Sequence, residues 1–201
     1  MRTYTGGIFD TNAFLFDFPE GRVLFDAPQG ADAAFANDKI DVLFLTHGHF
    51  DHVADAAAIQ TRHGCRVVLH ELTVPMVTNP DFFREWGYGF GVEPVASYEV
   101  AAEGKSSLLG EPVELFHVPG HCPGSLCLFI ASMKVLVGGD VLFAGGVGRW
   151  DLPGGDFEQL ISGIHQKLLP LPPSTRVLPG HGPATTIGWE AGSNPFLRQQ
   201  T

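Results

Sequence analysis

The densest chemistry in the chain lies in seven consecutive residues, Thr46-His47-Gly48-His49-Phe50-Asp51-His52. Three imidazoles and one carboxylate follow directly on the apolar run Val42-Leu43-Phe44-Leu45. An apolar run that ends in a polar, glycine-containing segment reads as a buried strand entering a tight loop. Imidazole nitrogen and carboxylate oxygen suit zinc and other divalent first-row metals. In extended geometry His47 and His49 point the same way, so both can grip one ion. Asp51 and His52 come after the turn into the next helix and can reach a second ion beside it.

Three later segments share one grammar, an apolar strand followed by a Pro/Gly turn that carries a metal-type donor. They are Val118-Pro119-Gly120-His121, Val137-Gly138-Gly139-Asp140 and Leu178-Pro179-Gly180-His181. Loops at one end of a sheet are where α/β folds place their chemistry. Read together, His47, His49 and His121 give one ion three nitrogens. Asp51, His52 and His181 give a second ion its own set, and Asp140 can bridge the two. Three protein ligands and an open position per ion make the catalytic rather than the structural pattern. Two such ions about 3.5–4 Å apart would share a hydroxide and polarise a carbonyl or phosphoryl oxygen. His63, His70, His117 and His165 read as packing or surface residues. Cys122, beside His121, reads as a space filler, since no base is spaced to activate it.

The elements that must position these donors are legible in outline. Ala13-Phe14-Leu15-Phe16 and Val23-Leu24-Phe25 read as two strands around a Pro/Gly hairpin signal. A short helix over 31–37 is expected next, then the strand at 41–46, the donor loop, and a helix over roughly 52–63 closed by Gly64. Arg66 to His70 reads as a strand, which makes 41–70 a β-α-β unit with parallel pairing. Residues 78–94 form an aromatic-rich loop, with a plug on the core or a flap carrying Trp86 and Tyr88 toward substrate as its two readings. Strands resume over 112–118, 125–130 and 134–138. A helix from Asp156, its cap, to Leu169 before Pro170 precedes the strand Arg176-Val177-Leu178. Strands first, then helix and strand, in both halves suggest two sheets packed face to face with helices outside, a four-layer αββα sandwich.

The chain has 201 residues with 44% apolar and 17% charged, enough for a sizeable core in one domain spanning 1–201, with a short tail over 187–201. Its formal net charge of −10 argues against nucleic acid or an anionic membrane as partner. Three cysteines make no disulfide framework, so a reducing cytoplasm is the expected compartment. No leader pattern and no long apolar run is seen. P-loop, dinucleotide, H-E-x-x-H and G-x-S-x-G motifs are likewise not found.

His47-x-His49-x-Asp51-His52, with His121, Asp140 and His181 at these intervals, resembles the metallo-β-lactamase superfamily over nearly the whole chain. Pro119-Gly120-His121-x-Pro123-Gly124-Ser125, Gly139-Asp140-Val141-Leu142-Phe143, Gly148 to Asp156 and Asn194-Pro195-Phe196-Leu197 resemble its short, single-domain glyoxalase II-like branch. The resemblance implies a fold of the metallo-β-lactamase type and a binuclear thioesterase acting on S-acyl-glutathione by a metal-bridging hydroxide. Zinc is the metal it implies first, with iron or manganese as substitutes. It makes Asp51 and Asp140 the catalytic carboxylates, with Asp51 orienting the hydroxide and passing its proton to the leaving thiolate. Full-length glyoxalase II enzymes hold glutathione with basic residues of a C-terminal helical domain, and this chain ends 20 residues after His181. Arg149 is therefore the candidate for a carboxylate contact, with Trp86 and Tyr88 as further substrate contacts. The partner is a small thioester or ester, and a homodimer is the expected assembly. Alternatives are a mononuclear-iron persulfide dioxygenase, which would not need Asp51, His52 and His181, a binuclear zinc lactonase, and a binding module that kept the fold alone.

Overall fold

Every donor loop named above leaves the C-terminal end of a strand, and two mixed sheets supply those strands. The computed structural model describes residues 1–198 in two units, Met1–Ala101 and the residues from Ala102 onward. Among the described residues no helix is long and apolar enough to cross a membrane.

The first unit is a six-stranded sheet in sequential order. Strands β1 (Arg2–Gly6), β2 (Thr11–Phe18) and β3 (Gly21–Phe25) pair antiparallel, and β3, β4 (Val42–Phe44), β5 (Arg66–Leu69) and β6 (Glu99–Val100) pair parallel. Strand β4 is central and buried on both faces, which is why Val-Leu-Phe runs without alternation. Because β3 and β4 are parallel with Phe25 opposite Phe44, the residues after both strands emerge at one edge. Asp26 therefore meets Thr46, and its N–H donates to Phe44 O at 2.9 Å.

Helices α1 (Ala31–Ala34), α2 (Phe50–Val53), α3 (Ala56–His63), α4 (Val74–Thr78) and α5 (Phe82–Glu85) cover this unit's connections. The single helix expected over 52–63 is two, because Asp55 serves the preceding loop. Its N–H donates to Ala27 O, and its Oδ2 accepts from Gly30 N at 2.8 Å and Asp32 N at 3.0 Å. Gly64 ends α3 in the left-handed region, as its position predicts, with its N–H on Gln60 O. Strand β1 escaped the sequence reading because Arg-Thr-Tyr-Thr-Gly carries little apolar signal.

The second unit repeats the plan with the order β14-β13-β10-β9-β8-β7. Its strands are β7 (Gly104–Leu108), β8 (Glu111–His117), β9 (Leu126–Ile130), β10 (Val135–Gly139), β13 (Arg176–Pro179) and β14 (Thr185–Thr186). A separate two-stranded hairpin pairs β11 (Leu142–Phe143) with β12 (Gly146–Val147). Strands β8 and β10 both run antiparallel to β9, and β13 is parallel to β10. All three thus point the same way, and the turns carrying His121, Asp140 and His181 lie on one edge.

Helix α6 (Phe157–Gly163) begins at Asp156, whose carboxylate accepts from Gln159 N at 2.9 Å, and continues as a π-helical turn over Ile164–Leu168. Leu160, Ile164 and Leu168, four residues apart, are fully buried against Val118, Leu136 and Val177. Each such side chain contributes about 1.5–3 kcal/mol by burial. A Cβ on Gly120 would lie 2.5 Å from Asp156 O and Leu160 N, so only glycine lets the His121 turn seat on the start of α6. Within the expected tail, Ile187–Ser193 forms helix α7, capped by Thr186. Its glycines at 188 and 192 hid it, and positions 199–201 of that tail lie outside the described residues.

Candidate metal centre

In the first unit the loop from Leu45 to His49 crosses from β4 into α2, with His49 as the residue before the helix. His47, His49 and His52 are buried, at 1%, 6% and 0% exposure, an unusual depth for three imidazoles without ligand duty. The His47 ring centroid lies 4.8 Å from that of His49 and 4.1 Å from that of His52. Gly48 permits this crowding, because a Cβ there would run into the side chain of Met76.

Asp26 organises the imidazoles. Its Oδ1 accepts from Thr46 N at 2.8 Å, and its Oδ2 lies 2.8 Å from both Thr46 Oγ1 and His52 Nδ1. Thr46 Oγ1 in turn lies 3.1 Å from His47 Nδ1. One proton assignment satisfies the chain: His47 Nδ1–H donates to the threonine hydroxyl, which donates to Asp26, which also accepts from His52 Nδ1–H. Both histidines then present an Nε2 lone pair, the ligating form. On the other side of His52, Nε2 lies 3.6 Å from Asp51 Oδ2, and that same oxygen accepts from Thr11 Oγ1 at 2.8 Å.

The second unit shows the same arrangement with a backbone acceptor. His121 Nδ1 donates to Arg149 O at 2.8 Å, which turns Nε2 toward Asp140 Oδ2, 3.5 Å away. His181 Nε2 reaches the same Asp140 oxygen at 3.2 Å. Gly148 backs this cluster. A Cβ there would run into Asp140 O and lie 3.0 Å from His121 Cβ. Two ligand atoms bound to one tetrahedral ion at 2.0–2.1 Å stand about 3.3–3.4 Å apart. The carboxylate–imidazole spacings of 3.2, 3.5 and 3.6 Å fit that separation, and the fixed tautomers fit the donor role. The donor sets therefore suit divalent metal.

The remaining expected residues fall as follows. Trp86 is half-buried with its ring 6.5 Å from the His49 ring, and Tyr88 packs on Phe50 at 5.4 Å. Phe83 is buried, so residues 78–94 plug the core at Phe83 and reach His49 through Trp86. The Arg149 guanidinium forks onto Asp151 at 2.8 and 2.7 Å and holds that carboxyl down at about 2. His117 Nε2 donates to Pro123 O, within the loop that follows His121, and His70 accepts from Leu72 N. Burial pushes the Cys65 thiol up to about 11, and the Cys127 thiol higher still. Sequence alone assigns no role to Asp26, Thr11 or the Thr46 hydroxyl. Asp26 carries one available signal, an acid directly after an apolar strand, but the parallel pairing of β3 with β4 is what gives it meaning.

This fold and donor set define a class. The chain belongs to the metallo-β-lactamase superfamily, whose family model matches residues 6–181, and it has the α/β sandwich fold of that superfamily. It is 36% identical to the probable metallo-hydrolase YqgX of Bacillus subtilis, over 95% of this chain and 94% of the relative. It is 38% identical to the hydroxyacylglutathione hydrolase GloC of Haemophilus influenzae, over 81% and 78%. The crystal structure of TTHA1623 in a di-iron-bound form superposes with a TM-score of 0.88 at 38% identity, covering 98% of this chain and all of that one. Membership of the superfamily, with a metallo-hydrolase among these relatives, supports an enzyme of that class.

Proposed function

We propose that the protein is a thioester hydrolase of the hydroxyacylglutathione hydrolase type, with two divalent ions held by its histidine and aspartate donors. His47, His49 and His121 would hold one ion, Asp51, His52 and His181 the other, with Asp140 shared. The observation that carries this reading is Asp140, whose single Oδ2 stands at ligand–ligand spacing from both His121 and His181. That is what a carboxylate oxygen common to two ions requires. An intact second set disfavours the mononuclear dioxygenase reading. The identity with GloC supports a thioester as the substrate, and the di-iron state of TTHA1623 makes iron the rival to zinc.

When bound, the ions supply an acidified water and polarise the thioester carbonyl. The chain's own residues do the rest. Asp26 and Arg149 O hold His52 and His121 in the ligating tautomer, so no reorientation is needed during turnover. Thr11 fixes the rotation of the Asp51 carboxylate. Asp51 then takes a proton from the attacking water and gives it to the departing thiolate, a good leaving group that needs no strong acid. Trp86, beside His49, covers the approach and contacts substrate, and Tyr88 packs on Phe50.

The test is release of free thiol from S-lactoylglutathione by the purified protein, with His121→Ala and Asp140→Ala beside it. The reading expects turnover by the wild type and a loss of at least about 10³-fold in kcat/KM in either variant. Activity that survives both substitutions would remove it.

A further inference from the structure

In the first unit a cleft of about 420 Å³ opens beside Asp51. That volume lies within the range of small-molecule sites. Its walls are apolar, from Ile8 at the β1–β2 tip, Phe50, Ala54, Phe90 and Val92. Ile8 and Phe90, both lining the cleft, are 77% and 38% exposed, so together they offer apolar surface that a ligand lying in the cleft would cover. The opposite wall is firm. The Phe50 ring is packed by Phe90 at 4.7 Å, Tyr88 at 5.4 Å, Phe9 at 5.6 Å and Phe83 at 5.9 Å. Gly91, between Phe90 and Val92, sits so close to Pro80 O that any Cβ would collide with it.

Charge decides what this cleft accepts. Its charged lining residues are the carboxylates Asp51, Asp55 and Glu93, and among the described residues the lining holds no lysine or arginine. Arg84, beside Gly91, is paired with Asp81, and Asp55 is held by the backbone N–H groups of Gly30 and Asp32. The ion Asp51 would hold offsets its charge, so the like charge that an anionic group meets in this partly desolvated space is that of Asp55 and Glu93. An anionic thiol handle such as glutathione is disfavoured in the cleft on the same ground.

We propose that this cleft is the acyl subsite, taking the uncharged acyl chain of the substrate and rejecting acyl groups that end in a carboxylate. The proposal rests on the thioesterase reading above, since Asp51 belongs both to the cleft and to the proposed centre. It assigns substrate selection to Ile8, Phe90 and Glu93, which are not among the donors.

The experiment compares kcat/KM of the metal-loaded enzyme for acetyl, octanoyl and succinyl thioesters of one neutral thiol, N-acetylcysteamine. In the wild type octanoyl should exceed acetyl, and succinyl should fall below it. Ile8→Ala should lower the octanoyl-to-acetyl ratio about tenfold. Glu93→Lys should raise the succinyl-to-acetyl ratio about fivefold. Ratios that stay at wild-type values in both variants overturn the acyl subsite and leave the thioesterase standing. If none of these thioesters turns over, titration of the Ile8 methyl NMR signal decides the cleft alone, and the thioesterase reading falls only if S-lactoylglutathione is inert as well. A saturable shift with octanamide, weaker with octanoate, supports the assigned ligand class. The absence of any shift with octanamide overturns it.

Discussion

Asp26 Oδ2 lies 2.8 Å from Nδ1 of His52, and both side chains are buried. The contact fixes which imidazole nitrogen carries the proton, and therefore which one can bind metal. Asp26→Asn would put an amide donor opposite Nδ1 and favour the tautomer protonated on Nε2. The expected outcome is metal affinity weakened about 10–100-fold with the fold intact. Competition against a chromophoric chelator, with far-ultraviolet circular dichroism as the control, measures both. Unchanged affinity would show that Asp26 does not set the tautomer.

Gly148 and Gly146 offer a paired test of how closely the Asp140 cluster is packed. A Cβ at 148 runs into Asp140 O, whereas at 146 its nearest neighbour is Phe143 Cβ at 3.8 Å, an ordinary contact. Gly148→Ala should cost about 1–3 kcal/mol of stability and lower metal occupancy. Gly146→Ala should stay within about 0.5 kcal/mol of wild type. Urea titrations with elemental analysis read out the pair, and equal effects would contradict the packing argument.

Glu190 is fully buried, and its carboxylate accepts from Gly145 N, Asn194 Nδ2 and Thr185 Oγ1. It ties helix α7 to the β11–β12 hairpin that leads into Gly148. Glu190→Ala leaves these donors unsatisfied and should cost about 3 kcal/mol. Equilibrium unfolding measures it, and a loss below about 1 kcal/mol would mean the network carries little.

Much of the candidate centre could be read from the sequence, because metal-type donors stand out by residue type and by their place after strands. The three Pro/Gly turns with His121, Asp140 and His181 pointed to a common edge, and β8, β10 and β13 run in one direction as that required. What escaped the reading depends on pairing across distance. Asp26 acquires its role only when β3 lies parallel to β4, and Thr11 only when β2 brings its hydroxyl to Asp51. The break at Asp55 escaped for a related reason, since its partners Ala27, Gly30 and Asp32 belong to another loop. Short polar strands such as β1 and β14 have too little apolar pattern to be seen without their neighbours.

The cysteines give a pH-linked prediction. Cys65, Cys122 and Cys127 are all buried. Burial holds the Cys65 thiol at about 11 and raises that of Cys127, so both stay protonated at pH 8 in the native state. Their ordinary values return on unfolding, so the folded state binds more protons and thiolate formation at rising pH works against folding. A disulfide reagent at pH 8 should find no fast thiol in native protein and three after denaturation. One fast thiol in native protein would contradict the space-filling role of Cys122.

The central claim is that the seven donors hold a pair of ions, and metal content per chain tests it most directly. Protein purified without chelator should carry about two divalent ions per chain, falling to about one or fewer in Asp140→Ala. A wild-type value of one ion per chain, unchanged by supplying zinc or iron and unaffected by Asp140→Ala, would contradict it.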